Sequence, residues 1–345
     1  MKILYLDPAP ENRTSGNQTT SKRIVEHWQS LGYEVQSVAV REQAFMDRDR
    51  LVDLLCQSDL IIALHSGHCH EVLELWRELK KPTPMIFVVS GTDLFEPLLT
   101  TGTFSNDFMT ACEDSVSIVT FARGFERLFS DFHREHWALK TQTIFQGAEP
   151  VVWNMADHDP KNAVVIGHLR NIKDPWISVR ALEILQSTLK GNGSGFQIRH
   201  FGTLLDPGME EVIRNSELRF TRPNWKWTWK GTATGKEIRA LMSSAPLLIQ
   251  PSIHEGGANV VGEFLVSGLP IIASNAPGNI GLLGEDWPGL FEVGDDQGLA
   301  TLLQQWLESE SFRKSLFVAS SELSQQHDPV REKSAWDRLL TPFCG

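Results

Sequence analysis

The chain alternates short apolar runs with longer stretches in which apolar residues recur at helical spacing. Five runs come first, at residues 3–6, 35–40, 60–64, 85–89 and 116–120. A second series follows at residues 163–167, 196–201, 225–229, 247–250 and 269–273. Short continuous apolar runs between helices are typical of strands buried on both faces of a parallel sheet. The pattern predicts an α/β chain with two Rossmann-like sheets in succession.

The segment between the two series, residues 146–160, is rich in turn formers and lacks apolar periodicity. We therefore predict a first domain over residues 1–155 and a second over residues 156–328, which suits a chain of 345 residues. Ligands of open parallel sheets bind beyond the carboxyl ends of the strands. The loops that follow the strands are thus the expected location of the chemistry, in a cleft between the two sheets.

Charge and composition exclude several classes of function. The formal net charge of -11 argues against a nucleic-acid or anionic-membrane partner, since both require a basic surface. No stretch approaches the roughly 20 apolar residues of a membrane helix, and the first apolar run is too short for a signal peptide. We expect a cytoplasmic enzyme. The histidines at residues 65–70 define no ligand geometry, so we predict no metal.

The strongest local signal is the string EGGANVVGE at residues 255–263, which follows the apolar run at residues 247–250. It predicts a strand, a glycine turn and a helix start, where free backbone N–H groups favour a diphosphate. Gly256 and Gly257 would let the backbone approach that ligand. Glu255 and Glu263 could accept hydrogen bonds from sugar hydroxyls. The structural alternative is a capping glutamate and a helix-surface glutamate.

A second loop, GHLRNIKDP at residues 167–175, places His168, Arg170 and Lys173 before a predicted helix. Fixed cations at this position would stabilise the negative charge that develops on a departing nucleoside diphosphate. The alternative is a solvated basic loop.

Three loops of the first domain also follow predicted strands. The first contains Ser15, Gly16 and Asn17, and the other two contain His65 and the pair Thr92 and Asp93. A glycine at such a turn permits close approach of a ligand. The dinucleotide fingerprint GxGxxG is absent, which disfavours a dehydrogenase.

Taken together, the Glu255/Glu263 motif, Lys173 and the string GLPIIAS at residues 268–274 resemble the family-four glycosyltransferases of the GT-B fold. The resemblance implies a second domain that binds a nucleotide sugar without a metal or other cofactor. It also implies a C-terminal helix, within residues 329–345, that packs back on the first domain. His168 departs from the pattern, because it occupies the position of the family's usual arginine.

The strings at residues 15–17, 167–175, 255–263 and 277–284 resemble a narrower group, the selenosugar synthases of selenoneine biosynthesis. That resemblance implies a reaction of UDP-N-acetylglucosamine or UDP-glucose with selenophosphate to give a 1-selenosugar, UDP and phosphate. It also implies functional coupling to an enzyme that produces selenophosphate. Selenophosphate is already anionic and needs no general base. Ser90 stands where many family-four enzymes carry histidine, which fits such a nucleophile.

Residues take three roles in this interpretation. The predicted catalytic residues are Lys173, Arg170, Glu255, His65 and Asp93. The predicted nucleotide-sugar-binding residues are Gly16, Asn17, His168, Arg170, Lys173, Glu255, Gly256, Gly257, Ala258, Asn259, Val260 and Glu263. The predicted acceptor-binding residues are Ser15, His65, Thr92, Asp93 and His168.

Two other functions stay open at this point. An ordinary glycosyltransferase that makes an O-glycoside on a small alcohol would need a base, for which His65 and Asp93 are candidates. A protein of another class would bind nucleotide sugars without catalysis, and it would bind UDP without releasing UDP from a donor.

Overall fold

The computed structural model describes residues 1–8, 16–40, 47–79, 83–132, 134–154, 158–189, 195–206, 208–220, 222–244 and 246–344. The chain divides into two compact units. The first consists of Met1–Gln146, Gly256–Asn259 and Pro329–Gly345, and the second of Gly147–Glu255 and Val260–Asp328. The first unit therefore ends before the predicted limit at residue 155, and it includes a four-residue segment from the middle of the string at residues 255–263.

The first unit is built on a parallel sheet of six strands in the order β2-β1-β3-β4-β5-β6. Its strands are β1 (Lys2–Asp7), β2 (Glu34–Ala39), β3 (Leu60–Leu64), β4 (Met85–Val88), β5 (Ser117–Thr120) and β6 (Thr141–Thr143). Its first seven helices are α1 (Gly16–Ser30), α2 (Arg48–Gln57), α3 (Ser66–Glu78), α4 (Gly91–Thr101), α5 (Asn106–Asp114), α6 (Phe125–Asp131) and α7 (Glu135–Leu139).

The second unit repeats this architecture with the strand order β12-β11-β10-β7-β8-β9, again all parallel. Its strands are β7 (Asn162–Ile166), β8 (Phe196–Phe201), β9 (Trp225–Trp229), β10 (Leu247–Gln250), β11 (Ile271–Ser274) and β12 (Leu290–Phe291). Its helices are α8 (Ile177–Thr188), α9 (Met209–Glu217), α10 (Gly235–Met242), α11 (Asn259–Val266), α12 (Pro277–Leu283), α13 (Asp296–Glu308) and α14 (Glu310–Leu323), except that Asn259, the first residue of α11, belongs to the first unit.

The last helix, α15 (Pro329–Leu340), belongs to the first unit. Its Trp336 packs edge-on against Trp28 of α1, with ring centroids 5.1 Å apart. Both tryptophans are fully buried in the core that the sheet shares with α1. Two large buried rings remove much apolar surface from water, so this contact ties α15 to the unit.

The structure confirms the two parallel sheets and all ten predicted strands, and it adds β6 and β12. Both additional strands lie at a sheet edge. β6 is polar and three residues long, and β12 has only two residues. Neither is long enough to produce a recognisable apolar run. No helix among the described residues is long and apolar enough to cross a membrane.

Strand order places one crevice in each unit. In the second unit, the chain leaves β7 for β8 and β9 on one side and then returns to β10 on the other side. The connections after β7 and β10 therefore diverge, which opens the space beyond their carboxyl ends. In the first unit the same reversal occurs between β1 and β3.

Gly202 sets the spacing of the turns that follow β7 and β8. A Cβ atom at Gly202 would lie 1.9 Å from the carbonyl oxygen of Gly167. The buried His200 donates a hydrogen bond from Nε2 to the same oxygen at 3.0 Å. The loop that begins at Gly167 therefore rests against a backbone position that admits no side chain.

We expect Gly202→Ala to lower the free energy of unfolding by about 1 to 3 kcal/mol, because the added methyl group forces the two turns apart. Gly235→Ala is the matched control, since a Cβ there meets no atom within 4 Å and alanine suits the start of α10. Urea unfolding of both variants measures the difference. A Gly202→Ala protein as stable as the control would contradict this packing.

Candidate functional site

Lys173 and Glu255 meet beyond the carboxyl ends of β7 and β10. Lys173 closes a single 3-10 turn, Asn171–Lys173, and its Nζ donates a hydrogen bond to Oε2 of Glu255. The Ile253 N–H donates to the Ile172 carbonyl at 2.9 Å, so the two loops are also joined through their backbones. The lysine side chain is 29% exposed and the glutamate side chain 11%. The structure thus brings two predicted catalytic residues into one ion pair.

Two uncharged side chains bind the same carboxylate oxygen. Ser252 Oγ lies 3.1 Å and Gln250 Nε2 lies 3.2 Å from Glu255 Oε2. Because an ionised carboxylate only accepts hydrogen bonds, both groups donate to it. Lys173, Gln250 and Ser252 also line one small cavity beside β7 and β10. Glu255 is therefore held by three donors rather than standing as a solvated cap.

His168 is a neutral hydrogen-bond donor in this loop rather than a third cation. The Thr203 N–H donates to its Nδ1 at 3.1 Å, which leaves the ring proton on Nε2. Burial lowers the pKa of His168, and the nearby Lys173 and Arg170 charges lower it further. The positive charge of the loop near neutral pH thus comes from Arg170 and Lys173.

Arg170 has an acidic neighbour. Its Nε lies 3.9 Å from Oδ1 of Asp206, and Oδ2 of the same carboxylate accepts the Asn171 N–H at 2.7 Å. The ion pair is partly exposed, with side chains 30% and 28% accessible, so solvent weakens the attraction. The Arg170 guanidinium thus stays partly accessible to solvent.

Glu263 and Val260 lie on α11. The helix begins at Asn259, four residues after Glu255, so the two glutamates are not joined by continuous helix. Val260 is buried, and the backbone carbonyl of Glu263 accepts a hydrogen bond from Ser267 Oγ at 2.8 Å. The structure confirms the predicted order of strand, glycine turn and helix start.

The two glycines of the turn are required by packing within the first unit. A Cβ at Gly256 would lie 2.5 Å from Gly91 Cα, and a Cβ at Gly257 would lie 2.8 Å from Phe121 Cβ. The Gly257 carbonyl also accepts a hydrogen bond from Gln146 Nε2 at 2.9 Å. The sequence predicts that these glycines make space for a ligand. The structure supplies another reason, which is the close approach of protein backbone.

Asn259 binds the start of α1 within the same unit. Its Nδ2 lies 3.3 Å from the Gly16 carbonyl and 3.3 Å from Thr20 Oγ1. Asn17 is the next residue of α1, and Ala258 directly precedes Asn259; both are partly buried. Gly16 and Asn259, both predicted to bind the nucleotide sugar, are thus in contact. Ser15 lies outside the described residues.

Asp93 caps the start of α3. Its Oδ2 accepts the Ser66 N–H at 2.8 Å, and its Oδ1 accepts the Ser66 hydroxyl at 2.5 Å and the Gly67 N–H at 3.4 Å. The residue is only 4% exposed, and burial raises the pKa of Asp93 to about 6. That pKa would suit a base, but the carboxylate already accepts three hydrogen bonds.

His65 adopts an uncommon backbone conformation beside Asp93. Its φ is 73°, which non-glycine residues rarely adopt. Its Nδ1 lies 3.4 Å from Asp93 Oδ1 and accepts the His68 N–H at 3.3 Å, while the imidazole rings of His65 and His68 stack with centroids 3.8 Å apart.

Thr92, a predicted acceptor-binding residue, has its Oγ1 3.5 Å from Ser90 Oγ. Within the described ranges, no group of three or more His, Cys, Asp or Glu side chains could hold a metal ion.

Comparison with known proteins finds a family similar to most of the second unit. Residues 154–319 match the family described as "Glycosyl transferases group 1". The chain is also 31% identical over 102 residues to the sulfoquinovosyl transferase SQD2 of Arabidopsis thaliana, a match that spans 28% of this chain and only 20% of that protein. Residues 154–319 are thus similar to group 1 glycosyltransferases.

Solved structures extend the likeness of fold to the whole chain. Anabaena Alr3699/HepE in complex with UDP and glucose has a TM-score of 0.72 at 18% identity, covering 99% of this chain and 100% of that one. Sucrose-phosphate synthase from Thermosynechococcus elongatus has a TM-score of 0.74 at 14% identity, covering 99% and 98%. The predicted GT-B fold class is confirmed.

The residues around Glu255 that sequence reasoning missed are Gln250 and Ser252, both within the matched residues 154–319. Gln250 ends an otherwise apolar strand, and Ser252 precedes Glu255 by three residues. A polar residue at the end of a buried strand was the available signal.

A concavity of about 670 Å³ also lies in this domain, beside Asn275, Glu292 and Asp295, and none of the predicted site residues lines it.

We expect Asp93→Asn to change how stability depends on pH. The folded-state pKa of Asp93, about 6, lies above its ordinary value of 3.8, so the folded protein retains the proton that the unfolded chain releases. The wild type should therefore lose about 3 kcal/mol relative to the variant as pH rises from about 4 to about 7. Urea unfolding across this range measures the difference. Parallel pH curves for the two proteins would contradict the raised pKa.

Proposed function

We propose that this protein transfers a sugar from a UDP-sugar, UDP-N-acetylglucosamine or UDP-glucose, to selenophosphate, forming a carbon–selenium bond. The observation that supports a UDP-sugar as donor is the ion pair of Lys173 and Glu255 at the strand-order reversal of a domain similar to group 1 glycosyltransferases. The assignment of selenophosphate as acceptor rests on the resemblance of four sequence strings to selenosugar synthases.

Lys173 and Glu255 suit opposite parts of a nucleotide sugar. A lysine ammonium attracts a diphosphate, and a carboxylate accepts hydrogen bonds from sugar hydroxyls. In the structure, the two groups neutralise one another in their ion pair. The diphosphate would take over part of the lysine's hydrogen bonding, and the lysine would then stabilise the charge of departing UDP.

His168 adds a donor without adding charge. Its Nε2 carries the ring proton, so it can donate a hydrogen bond to an anionic oxygen at neutral pH. Arg170 supplies a cation close by. We assign these two residues to the second anion of the reaction, selenophosphate, and Lys173 to the diphosphate.

The nucleophile we propose requires no general base. Selenophosphate is anionic near neutral pH, so its selenium can attack without losing a proton to the protein. Asp93 would be an unfavourable base, since it is buried and accepts hydrogen bonds from Ser66 and Gly67. This disposition favours an acceptor that is already ionised over an alcohol.

The chemistry proceeds in two balanced steps. Selenium forms a bond to the anomeric carbon while the bond from that carbon to the UDP oxygen breaks, and UDP leaves with the electron pair. Water then cleaves the phosphorus–selenium bond, giving phosphate and the 1-selenosugar. No oxidant or reductant is consumed.

The decisive experiment incubates the purified protein with each UDP-sugar and selenophosphate, with thiophosphate and phosphate as controls. We expect mass spectrometry to detect a selenium-containing sugar together with equimolar UDP. If UDP is released with alcohols and no selenosugar forms, the acceptor is an alcohol and the product an O-glycoside. Binding of UDP without turnover on any acceptor would indicate a non-catalytic protein.

Two variants separate the donor and acceptor assignments. Lys173→Ala should raise the KM for the UDP-sugar or lower kcat by about tenfold or more, because it deletes a charge-assisted hydrogen bond worth about 1.5 to 3 kcal/mol. Arg170→Ala should raise the KM for selenophosphate and leave the donor KM nearly unchanged. Lys236→Ala, an exposed lysine on α10, is the control. An unchanged KM for selenophosphate in Arg170→Ala would remove Arg170 from the acceptor site.

A further inference from the structure

A buried polar network lies behind Glu255 in the glycosyltransferase domain. It joins the ends of β10 and β11 to α12 and contains Gln250, Ser252, Ser274 and Asn279, each at most 4% exposed. Apolar residues are the usual occupants of such positions, and buried polar groups are costly unless they are hydrogen-bonded. Four of them together therefore indicate a requirement beyond filling the core.

The hydrogen bonds of this network lead from Asn279 through Ser274 to Ser252. Asn279 Nδ2 donates to Ser274 Oγ at 3.0 Å, and Ser274 Oγ donates to the Ser252 carbonyl at 2.5 Å. Asn279 Nδ2 also lies 3.4 Å from the Gln250 carbonyl and 3.1 Å from the Ser274 carbonyl. Asn279 thus fixes the backbone at the ends of two neighbouring strands.

The network ends on one oxygen of Glu255. Gln250 Nε2 donates to Ser252 Oγ at 3.1 Å, and both groups donate to Oε2 of Glu255, which Lys173 also binds. Among the described residues, none donates a hydrogen bond to Oε1 of that carboxylate in the structure. One oxygen is therefore committed to the protein, and the other remains able to accept a hydrogen bond from a ligand.

The backbone of Glu255 is held from the same side. A Cβ at Gly278 would lie 1.9 Å from the Glu255 carbonyl oxygen. Gly278 directly precedes Asn279 at the start of α12, so this helix start contacts the glutamate's backbone and, through the network, constrains its side chain. An orientation determined at both places leaves the carboxylate little rotational freedom.

We propose that Asn279, Ser274 and Ser252 are positioning residues, which orient Glu255 so that Oε1 accepts a hydrogen bond from a hydroxyl group of the transferred sugar. This inference rests on the proposed function, because it presumes that Glu255 contacts the sugar of a UDP-sugar. It predicts that loss of the network weakens recognition of the sugar and not of UDP. Lys173, which we assign to the diphosphate, lies on another loop, and the hydrogen bonds of Asn279 go to Gln250 and Ser274 instead.

Calorimetry with two ligands tests this division. The ratio of the affinity for UDP-N-acetylglucosamine or UDP-glucose to the affinity for UDP measures the contribution of the sugar. We expect Ser252→Ala and Asn279→Ala to reduce this ratio at least fivefold while the Kd for UDP changes less than twofold. Ser320→Ala is the matched control, since it deletes an equally buried hydroxyl, which donates to the Leu269 carbonyl at 2.6 Å.

A double-mutant cycle distinguishes positioning from general destabilisation. If Ser252 acts through Glu255, Ser252→Ala should have no further effect on the sugar contribution in a Glu255→Gln background. Additive losses would overturn the inference. Equal losses of UDP and UDP-sugar affinity, accompanied by a lower Tm, would show a structural role and overturn it as well.

Different binding results would overturn the proposed function and the positioning role. Wild-type protein that binds neither UDP nor a UDP-sugar would overturn both. Wild-type protein that binds a UDP-sugar more tightly than UDP, with the same ratio in Asn279→Ala and Ser252→Ala, would overturn the positioning role alone. A ratio that falls in these two variants and not in Ser320→Ala would establish it.

Discussion

The pairing of β7 with β10 is the constraint on which the candidate site depends. The two strands are parallel neighbours, with Ala163 opposite Leu247 and Val164 opposite Leu248. Parallel pairing brings their carboxyl ends to the same edge of the sheet. Lys173 and Glu255, 82 residues apart in the chain, can form an ion pair only because of this arrangement. The orientation of Glu255, the position of Lys173 and the network behind them all follow from it.

Electrostatics in this domain is local. A chain with a net charge of -11 offers no general attraction to an anionic ligand. Arg170 and Lys173 supply positive charge in one short loop, and His168 contributes a neutral donor near them. A third cation would add repulsion to this loop, whereas a neutral imidazole costs less to bury. Histidine at position 168 thus leaves the loop with less positive charge than an arginine there would.

Both units use a buried polar side chain to organise the end of a strand. Asp93 binds the first turn of α3, and Asn279 binds the ends of β10 and β11. Each side chain binds more than one backbone group, which offsets part of the cost of its burial, although Asn279 Oδ1 has no hydrogen-bond partner among the described residues. The two side chains differ in that the Asp93 carboxyl group titrates and burial raises its pKa, whereas the Asn279 amide stays neutral. Neither pattern is visible from hydropathy, because a single polar residue near a strand end has many possible partners.

The amino-acid sequence by itself determined the two parallel sheets and the loops that carry Lys173 and Glu255, since apolar runs and strand ends are local features. It did not reveal β6 and β12, whose two or three residues are too few to form a pattern. Only the tertiary structure decided that Gln250, Ser252 and Asn279 support Glu255, that His168 is neutral, and that Gly256 packs against Gly91. The physical reason is common to all three: burial, hydrogen bonding and close packing depend on atoms brought together from distant parts of the chain.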